Sequence, residues 1–114
     1  MTSATLAAIA RRGEVAVLGL GASGVAAARL LTSVGARVYV SDAGRGDRVR
    51  EAAEALRTEG IEAEWGTHDL ERIARAGTVV VSPGVPPTAP PLVTAQARGI
   101  PVHSEVDEIG RAHV

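Results

Sequence analysis

The sequence predicts an α/β domain: an open parallel sheet of about five strands with helices on both faces. Three observations lead there. Short apolar runs alternate with amphipathic stretches that end in glycine. The first run, "VAVL", breaks into "GLGASG" and resumes as the alanine-rich "VAAARLL". The apolar share rests on Ala, Val, Leu and Ile with no Phe, and such small side chains let helices lie close on a sheet. Strands that alternate with helices pair in parallel, since each crossover returns the chain to the same end of the sheet.

Residues 14–18 form the first strand, a short apolar run bounded by Gly13 and Gly19. A helix follows from about Ser23, with Gly24, Ala27, Ala28 and Leu31 on one stripe and Gly35 as its stop. "ARVYVSD" is the second strand. Val49, Ala52, Ala53 and Leu56 make the next helical stripe, opposite Arg and Glu, and Gly60 ends it. In "IEAEW", Ile61, Ala63 and Trp65 share one face and two glutamates the other, which suits a half-exposed edge strand.

Residues 69–76 form a short helix, and "TVVVS" reads as the most buried strand of the chain. Residues 88–98 are helical, with Pro90 and Pro91 in the first turn, where a missing N–H costs nothing, and Gly99 closes the helix. "IPVH" is a short last strand. Ser104 then caps a final helix, supported by Asp107. The chain stops at Val114 in or just after that helix, with no glycine or proline stop, which reads as a cut in a longer protein.

Composition narrows the function. At 114 residues the chain is one domain, residues 1–114. The net charge of −1 offers no general attraction to nucleic acid or an anionic membrane. With no cysteine, a disulfide framework and a thiolate metal site are excluded. "MTSATLAAIARRG" carries its arginines after the apolar part, the reverse of a signal peptide, and no apolar run reaches the length of a membrane span. These features predict a cytoplasmic domain. The chain has no Lys, which removes a P-loop lysine, a Schiff-base lysine and a lysine general base.

Gly19, Leu20, Gly21, Ala22, Ser23 and Gly24 match G-x-G-x-x-G between a strand and a helix, the Rossmann-like arrangement. Gly19 permits the tight turn, Gly21 lets a ligand reach the backbone, and Gly24 lets the helix lie on the strand. Helix-start N–H groups then face an anion. A glycine turn kept only for close packing is the bland alternative. Asp42 ends the second strand about twenty residues on, where dinucleotide folds place an acid on a ribose hydroxyl. It suits ribose or base, or else a solvated turn before Gly44 and Gly46.

In "VVVSPGVPP", Ser82 precedes Pro83 and is pushed away from helix, while Gly84 allows an unusual dihedral. The segment reads equally as a ligand wall or a stiff connection. His68, His103 and His113 show no ligand spacing and read as surface or edge residues. Asp42, Asp47, Asp69 and Asp107 are scattered over separate elements, without metal-ligand spacing. No Ser-His-Asp arrangement with a nucleophile turn appears. No catalytic residue is identified.

Taken together, "VLGLGASGVAAARLL", "VYVSD", "VVVSPGVPPTAPPLVTAQARGIPV" and "HSEVDEIGR" resemble the N-terminal domain of bacterial Mur ligases, most nearly of the MurD type. The resemblance runs from about Glu14 to Arg111 and rests above all on "VSPGVP" followed by "A-x-x-R-G-I-P-V-x-S-E-x-D". It implies a domain that holds the uridine diphosphate end of UDP-N-acetylmuramoyl-L-alanine rather than NAD. By that resemblance Gly21, Ala22 and Ser23 meet the diphosphate, within the loop bounded by Gly19 and Gly24. Asp42 and the residues after it recognise uracil, Gly66 nears the nucleotide, and Ser82, Pro83 and Gly84 form the signature turn.

The resemblance is incomplete after Asp42. The family often has a hydroxyl and a long polar side chain there, whereas Ala43 and Gly44 follow here, with Arg45 as a substitute. By the same resemblance, the complete ligase uses ATP and Mg²⁺ to make an acyl phosphate that the amine of D-glutamate attacks, in peptidoglycan precursor synthesis. Its central ATPase and C-terminal domains are not in this chain. Two rival readings are an NAD-binding domain of a dehydrogenase and a nucleotide-sensing regulatory module. The first needs a catalytic His or Lys on a second domain; the second does not explain "VSPGVP…RGIPVHSE".

Overall fold

"VAVL" is buried at every position, and the sheet grows outward from it on both sides. In the computed structural model, which describes residues 2–104, this strand is β1 (Val15–Leu18). It is flanked by β2 (Val38–Asp42) and β4 (Thr78–Val81), with β3 (Glu62–Trp65) and β5 (Val102–His103) at the edges. All of these pairings are parallel. The five-stranded open α/β sheet and the edge position of "EAEW" agree with the sequence reading. The most buried strand does not: it is β1, in the centre, whereas Val81 at the end of β4 is only half-buried.

Side chains alternate across the sheet, as strand geometry requires. Val15, Val17, Val38, Val40 and Val80 face α2 (Ala22–Ser33) and α3 (Asp47–Thr58). Ala16, Leu18, Tyr39 and Val79 face α4 (Leu70–Ala74) and α5 (Pro90–Ala97). Gly24, Ala27, Ala28 and Leu31 are the buried stripe of α2, as their spacing predicts. The first face also holds α1 (Thr2–Arg11), whose Leu6 and Ile9 join the core. The sequence reading gave no helix there, because two apolar anchors in an alanine-rich stretch make a weak periodic signal.

Helix ends differ from expectation by small amounts. α2 starts at Ala22, one residue before Ser23, and α5 starts at Pro90 with Ala89 as its cap, so Thr88 lies outside it. Gly35, Gly60 and Gly99 adopt positive φ just past their helices, the left-handed stop that lacks a Cβ penalty. The expected cap at Ser104, the final helix with Asp107, and His113 lie at or beyond the limit of the described residues.

Arg72 fixes α4 against the sheet. It pairs with Glu14 before β1 at 2.6 Å and with Glu62 on β3 at 2.8 Å, and its guanidinium lies 4.5 Å from the Tyr39 ring centre. This anchoring sets the loop between β3 and α4, which carries His68.

Candidate functional site

The chain runs β1, β2, β3 outward to one edge, then returns across to β4 on the other side of β1. Neighbouring crossovers from β1 and β4 therefore leave in opposite directions and open a crevice at the carboxyl ends of the strands. Register makes those ends level, with Leu18 opposite both Ser41 and Val81. Three loops meet there: the glycine loop after β1, the Asp42 turn after β2 and the Ser82-Pro83 turn after β4.

Each glycine of the first loop has its own constraint. Gly19 takes φ +109°, and a Cβ on it would lie 2.7 Å from Ser82 Oγ. On Gly24 a Cβ would lie 1.9 Å from the Gly19 carbonyl oxygen, so that position admits no side chain. Gly21 differs: it has ordinary extended backbone (φ −78°, ψ −176°), and a Cβ would have nothing within 4 Å. Neither packing nor dihedral calls for glycine there. Gly21 is the N-cap of α2, and no side chain caps that helix start.

A cavity of about 790 Å³ occupies the crevice. Gly19, Gly21, Ala22 and Ser23 form one wall, and Asp42 with Ala43 another. Ser82, Pro83 and Gly84 continue into Val85 and the start of α5 on the far side. Of the sequence-identified residues, Gly24, Arg45 and Gly66 do not line it. Gly24 is packed beneath the loop. Arg45 lies against Gly66, which takes φ +82° and whose Cβ position is 3.6 Å from Arg45 Cγ, so these two sit together at the rim between β2 and β3.

The Asp42 carboxylate is engaged with the backbone as well as lining the cavity. Its Oδ2 accepts from Leu20 N–H at 2.7 Å and its Oδ1 from Gly44 N–H at 2.8 Å. The second bond is the Asx-type turn weighed from the sequence; the first ties β2 to the glycine loop. Ser82 Oγ is buried and has no hydrogen-bond partner among the described residues. Gly84 departs from expectation. It has no positive φ, and nothing lies within 4 Å of its Cβ position, so the dihedral argument for glycine fails there.

His68 is the other departure. Read from sequence as a surface or edge residue, it is half-buried and lines the cavity. Its Nδ1 lies 2.7 Å from Oγ of the fully buried Ser41. Burial pushes its pKa below the usual 6.5, against the opposing pull of the Asp42 and Glu64 charges. Beneath it, Tyr39 donates its hydroxyl to Glu64 Oε1 and accepts Asp69 N–H at 2.9 Å. Burial, and then the bond to Glu64, push the phenol up to about 12. The signal for this group was the alternation in "VYVSD", which sends Tyr39 and Ser41 to one face.

Residues 13–104 match the family described as Mur ligase MurD-like, N-terminal domain. The chain belongs to this family. Among its curated relatives, the UDP-N-acetylmuramoylalanine--D-glutamate ligase of Chlorobaculum parvum is 50% identical over 93 residues, covering 82% of this chain and 19% of the relative. The protein of the same name from Frankia casuarinae is 48% identical, covering 82% of this chain and 20% of the relative. That of Streptococcus mutans is 45% identical, covering 82% and 21%. The chain thus spans about a fifth of the length of the relatives it matches. In this MurD-like domain no helix among the described residues is long and apolar enough to cross a membrane.

Proposed function

We propose that residues 1–114 act as the substrate-binding N-terminal unit of a ligase that joins D-glutamate to UDP-N-acetylmuramoyl-L-alanine, holding the uridine diphosphate end in the crevice. The observation that carries this reading is Gly21. Its open Cβ position beside the uncapped start of α2 leaves room for a phosphate against backbone N–H groups. Ala22 and Ser23 continue that wall, and the Ser23 hydroxyl supplies a further donor. The buried Ser82 hydroxyl, without a partner among the described residues, is available to the same ligand. Asp42, Ala43 and the rim pair Arg45 and Gly66 lie on the side assigned to the nucleoside.

The residues of this chain do not fit ATP and Mg²⁺. There is no lysine for the β- and γ-phosphates, and the one phosphate loop has dinucleotide spacing. Among the described residues no three His, Asp or Glu side chains converge as metal ligands. ATP, Mg²⁺ and the chemistry of amide formation belong in this reading to central and C-terminal domains, its partners in the same ligase. A cytoplasmic location accords with the nucleotide-linked substrate and the cysteine-free sequence. Nothing observed favours the dehydrogenase or regulatory-module readings.

Equilibrium dialysis and a phosphate-release assay test this division of labour. The chain should retain UDP-N-acetylmuramoyl-L-alanine yet release no phosphate from ATP when D-glutamate is added. Turnover above a buffer blank, or no retention of the substrate, would contradict it.

A further inference from the structure

Two helices begin at the cavity, and their starts offer opposite chemistry. α2 begins after Gly21 with no side-chain cap, so its first N–H groups are open to an anion. α5 begins with Pro90 and Pro91, which carry no N–H. The next two N–H groups, of Leu92 and Val93, bond back to the Ala89 carbonyl at 3.0 and 3.1 Å. The turns before α5 are as poor in donors. Val85 N–H bonds the Ser82 carbonyl at 3.1 Å, Ala89 N–H bonds the Pro86 carbonyl at 3.0 Å, and Pro83 and Pro86 have no N–H. Among the described residues no charged side chain lines this far wall. The wall suits an uncharged, apolar group and disfavours a phosphate.

Strand order decides which part of a ligand reaches it. β1 lies between β2 and β4, so the cavity runs from Asp42 past the glycine loop to Pro83 and Val85. A nucleoside diphosphate sugar carries its three parts in that same order. With the nucleoside at the end of β2 and the diphosphate at the end of β1, the sugar falls at the end of β4. Val85 is close to the loop, its Cγ2 lying 3.6 Å from the position of a Cβ on Gly19. The sugar substituent nearest the diphosphate is the one at C2, beside the anomeric carbon. Gly84 has no positive φ, and nothing lies within 4 Å of its Cβ position. As at Gly21, neither dihedral nor packing calls for glycine, and the space is open to the sugar ring.

We propose that Val85, Pro86 and Ala89 form a subsite for the acetamido methyl at C2 of the sugar, so that this domain reads the sugar as well as the nucleotide. The inference rests on the uridine diphosphate reading above and adds a sugar-selective contact to it. A C2 hydroxyl placed against the same wall would give up water for a surface with few groups to bond it.

The test is an amide-resolved NMR titration of this chain with UDP, UDP-glucose and UDP-N-acetylglucosamine. The acetamido sugar should bind about three- to fivefold more tightly than UDP-glucose, the effect of burying one methyl group. An intermolecular NOE should join its acetyl methyl to the Val85 methyls. Val85→Thr keeps the shape of the wall but puts a hydroxyl in it, and should remove that preference. Ala89→Ser should reduce it too, and serine is a favoured residue at this helix cap, so the fold is kept.

Equal binding of the two sugar nucleotides, a preference that survives both variants, or an acetyl NOE only to residues outside this wall would overturn the proposal. Those outcomes leave the uridine reading standing when UDP still shifts the Gly21 and Gly24 amides. Absence of that UDP shift overturns both.

Discussion

The Asp42 carboxylate accepts the Leu20 backbone N–H at 2.7 Å, so the end of β2 holds the glycine loop that follows β1. Leu20 is buried and the bond part-buried, so its N–H loses a charged acceptor when the carboxylate is removed. This makes Asp42 a structural clamp at the cavity wall. Asp42→Ala should destabilise the domain by about 2 kcal/mol, the range for hydrogen bonds to a charged group, and Asp42→Asn by less. Urea unfolding of the variants checks it. An unchanged midpoint would show that the clamp contributes nothing and leave Asp42 a purely ligand-facing residue.

Two glycines three positions apart should respond in opposite ways. Gly24→Ala drives a Cβ to 1.9 Å from the Gly19 carbonyl oxygen and should abolish or severely weaken folding. At Gly21 a Cβ meets nothing within 4 Å and the backbone is ordinary extended, so Gly21→Val should keep its melting temperature within a few degrees. It should nevertheless lower UDP affinity at least tenfold by filling the phosphate space. Circular dichroism melts with a ligand titration separate the two effects. A Gly21→Val chain that melts normally and binds UDP as wild type does would remove the phosphate from this wall.

Tyr39 is the chain's one tyrosine, so its ionisation can be followed without assignment. Absorbance near 295 nm should titrate with a midpoint of about 12 while the fold persists. Because the folded-state pKa is raised, the associated stability is complete below the ordinary value of 10 and is lost as pH rises towards 12. Glu64→Gln should lower the midpoint by removing the acceptor charge, though burial, the larger cause, remains. A midpoint near 10 in the folded chain would contradict both the burial of the phenol and its bond to Glu64.

His68 gives the opposite pH dependence. Its pKa is depressed in the folded state, so at acid pH the unfolded chain binds a proton that the folded chain resists. The stability it contributes is present above 6.5 and declines as pH falls below that value towards the folded-state pKa. Unfolding free energies measured at successive pH values should fall in this window for wild type and change less for His68→Gln. An identical pH profile for the two would assign the acid sensitivity elsewhere.

The parts of this fold legible in the sequence are those set by local chemistry. Gly24, Ala27, Ala28 and Leu31 announce a buried stripe through their spacing, and the two glutamates of "EAEW" announce an edge strand. The centre of the sheet was harder to read, because "VAVL" and "TVVV" are equally apolar. Only the crossover back to β4 decides that β1 has neighbours on both sides. The site divides similarly. Gly19, Gly21 and Gly24 are visible as a motif, whereas His68 lines the cavity beside Ser41, a contact that no spacing around His68 encodes. Gly84 allows an unusual dihedral by its residue type, and its backbone does not use that freedom.

The most direct test of the account is an amide-resolved NMR titration of this chain with UDP and, separately, with NADH. UDP should shift the Gly21, Ala22, Ser23 and Gly24 amides together with Asp42. Its affinity should be about millimolar, because a partial ligand recovers only part of the binding energy. NADH should leave those amides unmoved. Tighter binding of NADH than of UDP at the same amides would contradict the uridine diphosphate site.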